Sequence, residues 1–554
     1  MNLSLSLCRN LSPLLCAALA LVWFPISDAK AQSIVRGPYL QLGTPTSMIV
    51  RWRTDVPSET RLEYSLSPDA LTSDSKNSGV SSISGLKQSG PTTEHEVLIS
   101  GLAPQTRYYY RVLSKDRVIA GGDLEHYFVT SPLGGDEPVR IWAVGDAGIS
   151  ARIPSGEDPG QAAVRDAFLK MYPIGSFHFF MMLGDNAYYT GSDDEYQRGV
   201  FNPYRNVLRS AVTWSTQGNH DYSARAYYPV FSFPTRGESG GIPSGTEYYY
   251  SFDHGNVHFI VLNSEVKDNS FRASMVSWLR QDLAANNKDW TVALWHHPPY
   301  SKGQHDSDKE STSEGRVVWM RTNIVPILEA AGVDLVLSGH SHSYERSKFL
   351  SGHYGLSSAL SERDVVVPGD GHDDQGRPYT KPQMKPLPHS GTVFVVAGSS
   401  GEVLPSPLNH PAMVVSLHKL GSMYLDFDVN ELNAKMIGAD GSLEDYFTIR
   451  KDPARPRAVQ GFTATADEKA CRVRVRWQAD AKHTGYTVYR SSTAEQRGKM
   501  IGTVSSGVDT FEDVIHTAEQ GNELYYSVRA SNSAGQGPWG SATRVVVPAN
   551  TTCR

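Results

Sequence analysis

Residues 141–148 read Ile-Trp-Ala-Val-Gly-Asp-Ala-Gly, a hydrophobic run that ends in a Gly-Asp pair. An uninterrupted apolar run of this kind is typical of a central strand that is covered on both faces of a sheet. Asp146 follows the run at its carboxyl end, where ligands of α/β sheets collect and where glycine permits close backbone approach. The stretch therefore predicts a buried strand that delivers a carboxylate to a site.

Four further blocks place polar side chains in a similar way along the next two hundred or so residues. They are GDNAY at 184–188, GNHD at 218–221, HHP at 296–298 and GHSH at 339–342. Helical spacing between the runs, as in the stripe of Val164, Phe168 and Met171, predicts strand–helix alternation and an α/β core. The blocks supply oxygen and imidazole donors, enough to hold two metal ions with one shared carboxylate.

The order of the five blocks resembles that of the metallophosphoesterases, and specifically that of the purple acid phosphatases. The family motifs GD-x-G, GD-x-x-Y, GNH followed by an acid, H-x-P and GH-x-H stand here as GDAG, GDNAY, GNHD, HHP and GHSH. The opening RGPYLQ at 36–41 is similar to the family's N-terminal β domain, and the likeness covers roughly residues 35–450. The resemblance implies a metal-dependent phosphoric ester hydrolase of the acid phosphatase type.

The resemblance also implies two sets of metal ligands. One ion would be held by Asp146, Asp185, Tyr188 and His342, and the other by Asp185, Asn219, His296 and His340. A phenolate is a hard donor that suits Fe(III), which assigns Fe(III) to the Tyr188 site, whereas the second site accepts Zn(II), Mn(II) or Fe(II). The alternative for Tyr188 is that it is one more aromatic residue, since Tyr189 lies beside it.

The catalytic roles expected here follow from the same resemblance. A metal-bound hydroxide would attack the phosphorus of a phosphate monoester while His220 protonates the leaving oxygen as general acid. Asp221 would orient His220, and His305 would be a further contact to the substrate. His297 is expected to be structural or to lie behind the ligands, because strand alternation turns it away from His296.

Two other functions stay open on the sequence. The same metals would serve a phosphodiesterase or a nucleotide-hydrolysing enzyme, because pocket walls expected from residues 186–215 and 351–390 decide the substrate. The Gly-, Pro- and Asp-rich segment 351–390 would roof the pocket or bind Ca²⁺, although it lacks the EF-hand spacing. A non-catalytic binding protein built on fibronectin modules around an inactive core is disfavoured by donors at every expected position.

Short alternating strands flank the core on both sides. Residues 33–132 predict a fibronectin type III-like β-sandwich, and residues 455–549 repeat the pattern with stretches such as VRVRW at 473–477. The expected fold is multidomain: an α/β metallophosphoesterase sandwich core at 138–450 flanked by two all-β fibronectin type III-like sandwiches. The C-terminal module would be a spacer or would contact carbohydrate, a cell surface or a partner.

The N-terminus predicts export. Arg9 precedes an apolar segment, and Ala-Lys-Ala at 29–31 has the small-residue form of a cleavage site, so residues 1–31 form a signal peptide or, as the alternative, an uncleaved anchor. The mature chain would be secreted or periplasmic. It then keeps only Cys471 and Cys553, which are expected to form a disulfide in an oxidising compartment, or else to stay thiols.

Composition excludes two classes of partner. The formal net charge is −6 and no basic stripe is present, so no nucleic-acid-binding surface is expected. No stretch after the signal reaches the ~20 apolar residues of a membrane span. The resemblance to purple acid phosphatases implies phosphate esters as the partners.

Overall fold

The computed structural model describes residues 33–72, 81–84, 92–135, 137–223, 225–452, 456–467, 471–494, 498–516, 521–532 and 535–547. The expected signal peptide and Cys553 lie outside the described residues, so the cleavage and the disulfide stay predictions. Within the described ranges, no helix is both long and apolar enough to cross a bilayer.

The N-terminal region forms two antiparallel sheets. Its elements are β1 Ile34–Gln41, β2 Ser47–Ser58, β3 Arg61–Ser65, α1 Asp69–Thr72, β4 Ser81–Ser84, β5 Thr92–Ser100, β6 Arg107–Ser114, β7 Arg117–Gly121 and β8 Tyr127–Val129. The sheet orders are β1-β2-β5 and β4-β3-β6-β7, with β8 paired to β6. Along β5, His95, Val97 and Ile99 are buried in alternation with more exposed neighbours, as a strand with one packed face requires.

The central region contains two seven-stranded sheets. Its strands are β9 Val139–Val144, β10 Phe179–Met182, β11 Val212–Ser215, β12 Tyr250–His254, β13 Val257–Val261, β14 Trp290–Leu294, β15 Leu335–Ser338, β16 Tyr344–Ser347, β17 Phe349–Leu350, β18 Val365–Val367, β19 Tyr379–Lys381, β20 Val393–Ala397, β21 Met413–Leu417, β22 Gly421–Asp428, β23 Glu431–Gly438 and β24 Leu443–Lys451. Its α-helices are α2 Pro159–Met171, α3 Asp193–Tyr196, α4 Arg205–Leu208, α5 Tyr227–Val230, α6 Asn269–Ala285, α7 Arg316–Trp319 and α8 Val325–Ala330.

Parallel strands occupy the middle of the second sheet but one side of the first, where β11 is the edge strand and β9 pairs with the antiparallel β22. The first sheet has the order β11-β10-β9-β22-β23-β24-β19, and β9, β10 and β11 are parallel. The second has the order β12-β13-β14-β15-β20-β16-β21, with β13, β14, β15 and β20 parallel. One hydrophobic cluster joins residues of the N-terminal sheets to both central sheets.

Helix α2 shows where the sequence pattern holds and where it fails. Asp158 caps the helix by accepting from the N–H groups of Gly160 and Gln161. Val164 and Phe168 are buried as predicted. Met171 is 43% exposed, so the prediction that it belongs to the buried stripe is wrong. The reason is that Met171 is the last residue of the helix, beyond the packed face.

The C-terminal part of segment 351–390, around β19, lies away from the five polar blocks. Strand β19 pairs with β24 at the edge of the first sheet. Lys381 of β19 reaches Asp334, which precedes β15, whereas the GHSH block follows β15. This end of the segment lies opposite the strand ends that carry the polar blocks, and it does not form the expected roof.

The C-terminal region has a hydrophobic cluster of its own, which includes Val473, Trp477 and Tyr486. Its strands are β25 Thr463–Asp467, β26 Arg472–Arg476, β27 Gly485–Ser491, β28 Lys499–Ser505, β29 Thr510–Val514, β30 Glu523–Asn532, β31 Gly535–Gln536 and β32 Thr543–Val546. They form the sheets β25-β26-β29 and β28-β27-β30-β31, with β32 on β30. The boundaries expected for the three domains stay predictions.

Candidate metal centre

The five polar blocks all follow strands at one end of the two central sheets. Asp146, Asp185 and Asn219 come after β9, β10 and β11 of the first sheet. His296 comes after β14, and the GHSH block after β15, of the second sheet. Because parallel strands present their carboxyl ends to the same edge, these side chains converge between the sheets.

A first group of donor atoms surrounds Tyr188. Its Oη lies 3.3 Å from Oδ1 of Asp146, 3.4 Å from Oδ2 of Asp185 and 3.2 Å from Nε2 of His342. His342 Nε2 is in turn 3.4 Å from Asp146 Oδ1. All four side chains are buried.

A second group surrounds His296. Its Nε2 lies 3.3 Å from Oδ2 of Asp185, 3.2 Å from Oδ1 of Asn219 and 3.2 Å from Nδ1 of His340. Donor atoms of Asp185, His296 and His340 lie within 4.8 Å of one another, close enough to hold an ion. The two groups share one atom, Oδ2 of Asp185.

The donor sets fit two cations. Ligand bonds of about 2.0–2.3 Å separate neighbouring donor atoms around an ion by roughly 3–3.5 Å, which is the spacing found in both groups. Asp146 and Asp185 are 0% and 2% exposed, and buried carboxylates need positive charge beside them. The donor chemistry and the burial therefore agree with a pair of metal ions.

The far ring nitrogens of the three histidines also fit this assignment. His296 donates from Nδ1 to the carbonyl of Leu183 at 2.9 Å, which leaves Nε2 for a metal. His340 contacts Ser313 Oγ through Nε2, and His342 Nδ1 lies 3.4 Å from Glu402. Metal-bound histidines commonly direct their second nitrogen to an oxygen atom, as His296 and His340 do here, whereas His342 Nδ1 has only the longer ion-pair contact.

The electrostatics show that the centre attracts positive charge. Burial lowers the pKa of His296, but Asp185 and Asp146 outweigh it and raise that pKa to about 10. Burial, together with Asp185 and Asp146, raises the pKa of Tyr188 well above its usual value. A phenolate at Tyr188 therefore requires a cation in contact with it.

The backbone around the centre is locally strained. Asp146, Asp185 and His340 adopt φ values of 55°, 51° and 68°, a left-handed conformation that is costly for residues with a Cβ atom and often marks functional sites. Gly218 has to be glycine, because a Cβ atom there would lie 2.3 Å from Asp185 Oδ1. Main-chain N–H groups of His340 and His220 each donate to these carboxylates at 2.8 Å.

His220 lies beside the shared carboxylate but is not oriented as expected. Its Nδ1 donates to the carbonyl of Tyr189 at 2.7 Å, and its Nε2 is 4.0 Å from Asp185 Oδ2. Asp221 instead accepts from Tyr196 Oη at 2.6 Å and from the N–H of Asn186 at 3.1 Å. The expected Asp221–His220 pairing is therefore wrong: the turn directs the carboxylate into the protein.

The other two predicted histidines lie close to His340. The His305 ring stacks on the His340 ring with centroids 3.7 Å apart, and burial lowers the pKa of His305 to about 4. His297 is buried, with Nδ1 2.8 Å from Ser264 Oγ. It is outside both donor groups, as the strand alternation predicts.

The sequence reasoning missed several residues around the centre. Glu402 carries a weaker form of the signal that marks the five blocks. Gly398 directly follows the apolar strand β20, and Glu402 lies four residues after that glycine. Ser313 has no such signal, because it reaches His340 from an irregular loop. Arg152, whose guanidinium faces Tyr188, also has no such signal, because it ends a short 3₁₀ helix instead of following a strand.

Comparisons with known proteins agree with this fold. The family described as calcineurin-like phosphoesterase matches residues 139–344, and the N-terminal domain of purple acid phosphatases matches residues 35–130. Purple acid phosphatase 18 of Arabidopsis thaliana is 26% identical over 370 residues, which span 64% of this chain and 75% of that protein. Acid phosphatase type 7 of Homo sapiens is 25% identical over 382 residues, with 65% and 76% covered.

A solved purple acid phosphatase from yellow lupin seeds has a similar fold, with a TM-score of 0.57 at 18% identity over 76% of this chain and 75% of the other. The two central sheets and the residues between them define a calcineurin-like metallophosphoesterase. With its N-terminal domain, the chain belongs to the purple acid phosphatase family of metal-dependent phosphoric ester hydrolases. The family and the enzyme class predicted from the sequence are confirmed.

Proposed function

We propose that this chain is an exported phosphatase that hydrolyses phosphate monoesters at a dinuclear metal centre. The observation that carries the proposal is the pair of largely buried donor groups joined through Oδ2 of Asp185. Asp146, Asp185, Tyr188 and His342 would hold Fe(III). Asp185, Asn219, His296 and His340 would hold Zn(II), Mn(II) or Fe(II).

When bound, two such cations supply charge stabilisation of the phosphate and an acidified water. The chain contributes a proton at His220. Because Nδ1 of His220 donates to the Tyr189 carbonyl, Nε2 is the atom left to carry a proton toward the leaving oxygen. The main-chain N–H of His220 also holds Asp185, so the acid and the shared ligand are fixed relative to each other. General acid assistance typically contributes about 10²–10⁴-fold in rate.

His305 is proposed as a second contact to the substrate. Its ring covers one face of His340, and it is only half-buried, so it lies at the boundary between the centre and solvent.

The remaining elements of the proposal rest on sequence alone. They are export through residues 1–31, the disulfide between Cys471 and Cys553, and a fibronectin type III identity for residues 455–549. Contacts in the described residues give no support to carbohydrate binding by that module.

Hydrolysis of paired substrates tests the proposal. The purified protein should hydrolyse p-nitrophenyl phosphate faster than bis(p-nitrophenyl) phosphate, lose this activity on chelation and regain it when iron and zinc are restored. Faster hydrolysis of the diester would favour the phosphodiesterase alternative. Inactivity toward both esters in a metal-loaded sample would favour the non-catalytic binding protein.

A further inference from the structure

Arg152 places a cation directly against Tyr188. Its guanidinium carbon lies 4.6 Å from the centre of the Tyr188 ring and 4.8 Å from the centre of the Tyr189 ring. A cation over an aromatic ring is attracted to it, and negative charge on a phenolate strengthens the attraction. Arg152 is therefore close enough to influence the charge state of Tyr188 electrostatically.

Glu402 connects the same guanidinium to His342. Its Oε2 lies 3.0 Å from Nη1 of Arg152 and 3.4 Å from Nδ1 of His342. At that distance Glu402 acts on the imidazole through its charge and not through a hydrogen bond, and a negative charge beside the ring raises the basicity of the imidazole. The ion pair thus contacts two of the four side chains in the first donor group.

Both members of the pair come from segments that pack beside Asp146. Arg152 ends the short 3₁₀ helix Gly148–Arg152, in which the N–H of Ser150 donates to the side chain of Gln161 at 2.9 Å. Glu402 follows Gly401, where a Cβ atom would lie 2.5 Å from the carbonyl oxygen of Asp146. The side chains are 24% and 35% exposed, so the pair is partly withdrawn from solvent. Its charges are screened less than those of a surface pair.

We propose that Arg152 and Glu402 form a positioning pair that sets the electronic properties of the ion bound at Tyr188, an inference that rests on the proposed metal centre. The positive charge of Arg152 stabilises a phenolate and favours the less positive, reduced state of the ion. The negative charge of Glu402 strengthens His342 as a donor and favours the oxidised state. The two residues act through the ligands and in opposite directions.

The reduction potential of the iron-reconstituted protein, followed through its visible absorption band, tests the pair. Arg152→Gln should lower the potential and move the band to longer wavelength, because the phenolate loses a stabilising cation on its ring face. Glu402→Gln should raise the potential. The double variant should return near the wild-type value, and Arg152→Lys, which keeps the charge but not the planar group, should lie between wild type and Arg152→Gln.

Arg450→Gln is the matched control, since it removes an arginine paired with Glu431 at 2.8 Å between β23 and β24. It should leave the potential unchanged, with all variants compared at equal measured iron content. Potentials that move in the same direction in both single variants, or that do not move, overturn the pairing and leave the proposed function standing. A wild-type protein that binds iron without any visible band overturns the tyrosinate assignment and this inference with it.

Discussion

Oδ1 of Asp146 and Nε2 of His342 lie 3.4 Å apart, although the two residues leave strands of different sheets. The site therefore exists only where the carboxyl ends of both sheets meet. Each sheet contributes side chains to each donor group: in the second group, for example, Asp185 comes from the first sheet and His296 from the second. Metal binding should consequently stabilise the packing of the two sheets against each other.

Tyr188→Phe should abolish the visible band of the iron-loaded protein. The phenol oxygen is the atom that lies 3.2–3.4 Å from three other donors, and phenylalanine keeps the buried ring while it removes that oxygen. Absorption spectra with metal analysis of the same samples measure the effect. Tyr189→Phe is the control, because the Tyr189 side chain is 58% exposed. The visible band of this variant should be the same as that of the wild type. A band that persists in Tyr188→Phe would refute the ligand assignment.

His220→Ala should keep both metals and lose turnover most on esters with poor leaving groups. The imidazole is outside both donor groups, and only leaving oxygens of high pKa need its proton. Alkyl phosphates should slow by about 10²–10⁴-fold, whereas p-nitrophenyl phosphate should slow less. Parallel kcat measurements on the two esters check this, and an equal loss on both would count against the acid role.

The stability of the fold should fall as pH rises through the titration of His258. This buried imidazole contacts Asp253 at 2.7 Å and Asp282 at 2.8 Å, while Lys288 lies 3.3 Å from Asp253. Burial lowers the pKa of His258, but the hydrogen bonds to the two carboxylates raise it from 6.5 to about 9. The contribution is thus complete below pH 6.5, declines between 6.5 and 9 and is absent above 9, with a size of about 3 kcal/mol.

Urea unfolding of wild type and His258→Gln at pH 6 and pH 10 measures this contribution. The wild type should be the more stable protein at pH 6, and the difference between the two should shrink by about 3 kcal/mol at pH 10. A difference that is the same at both pH values would show that His258 is neutral in the folded protein.

Asp334→Asn should destabilise the fold by about 3–5 kcal/mol, because it leaves buried lysines without their counter-ion. Asp334 Oδ1 lies 2.7 Å from Nζ of Lys381 and 2.9 Å from Nζ of Lys451, and all three side chains are at most 1% exposed. Denaturant titration gives the loss. Asp166→Asn is the control: Asp166 is 67% exposed beside Arg165, so its loss should cost at most about 1 kcal/mol. Equal effects of the two changes would contradict the buried network.

Features set by local sequence were predictable, whereas features set by distant packing were not. The positions of Asp146 and Asp185 follow from apolar runs that end in glycine, because both the strand and the turn are encoded within a few residues. The prediction that Asp221 pairs with His220 failed. The two residues are neighbours along the chain, but the folded turn directs the Asp221 carboxylate to Tyr196 instead. Ser313 was missed because an irregular loop brings it to the centre from a distant part of the sequence. Arg152 was missed because its contact with Tyr188 depends on how the short 3₁₀ helix after Asp146 packs.

The most direct test of the central claim is the number of metal ions that one chain binds. Elemental analysis of the reconstituted wild type should give two ions per chain, and Asp185→Asn should lose both, since Oδ2 of Asp185 belongs to both donor groups. A wild-type protein that holds no more than one ion, or an Asp185→Asn protein that keeps two, would contradict a centre bridged by this carboxylate.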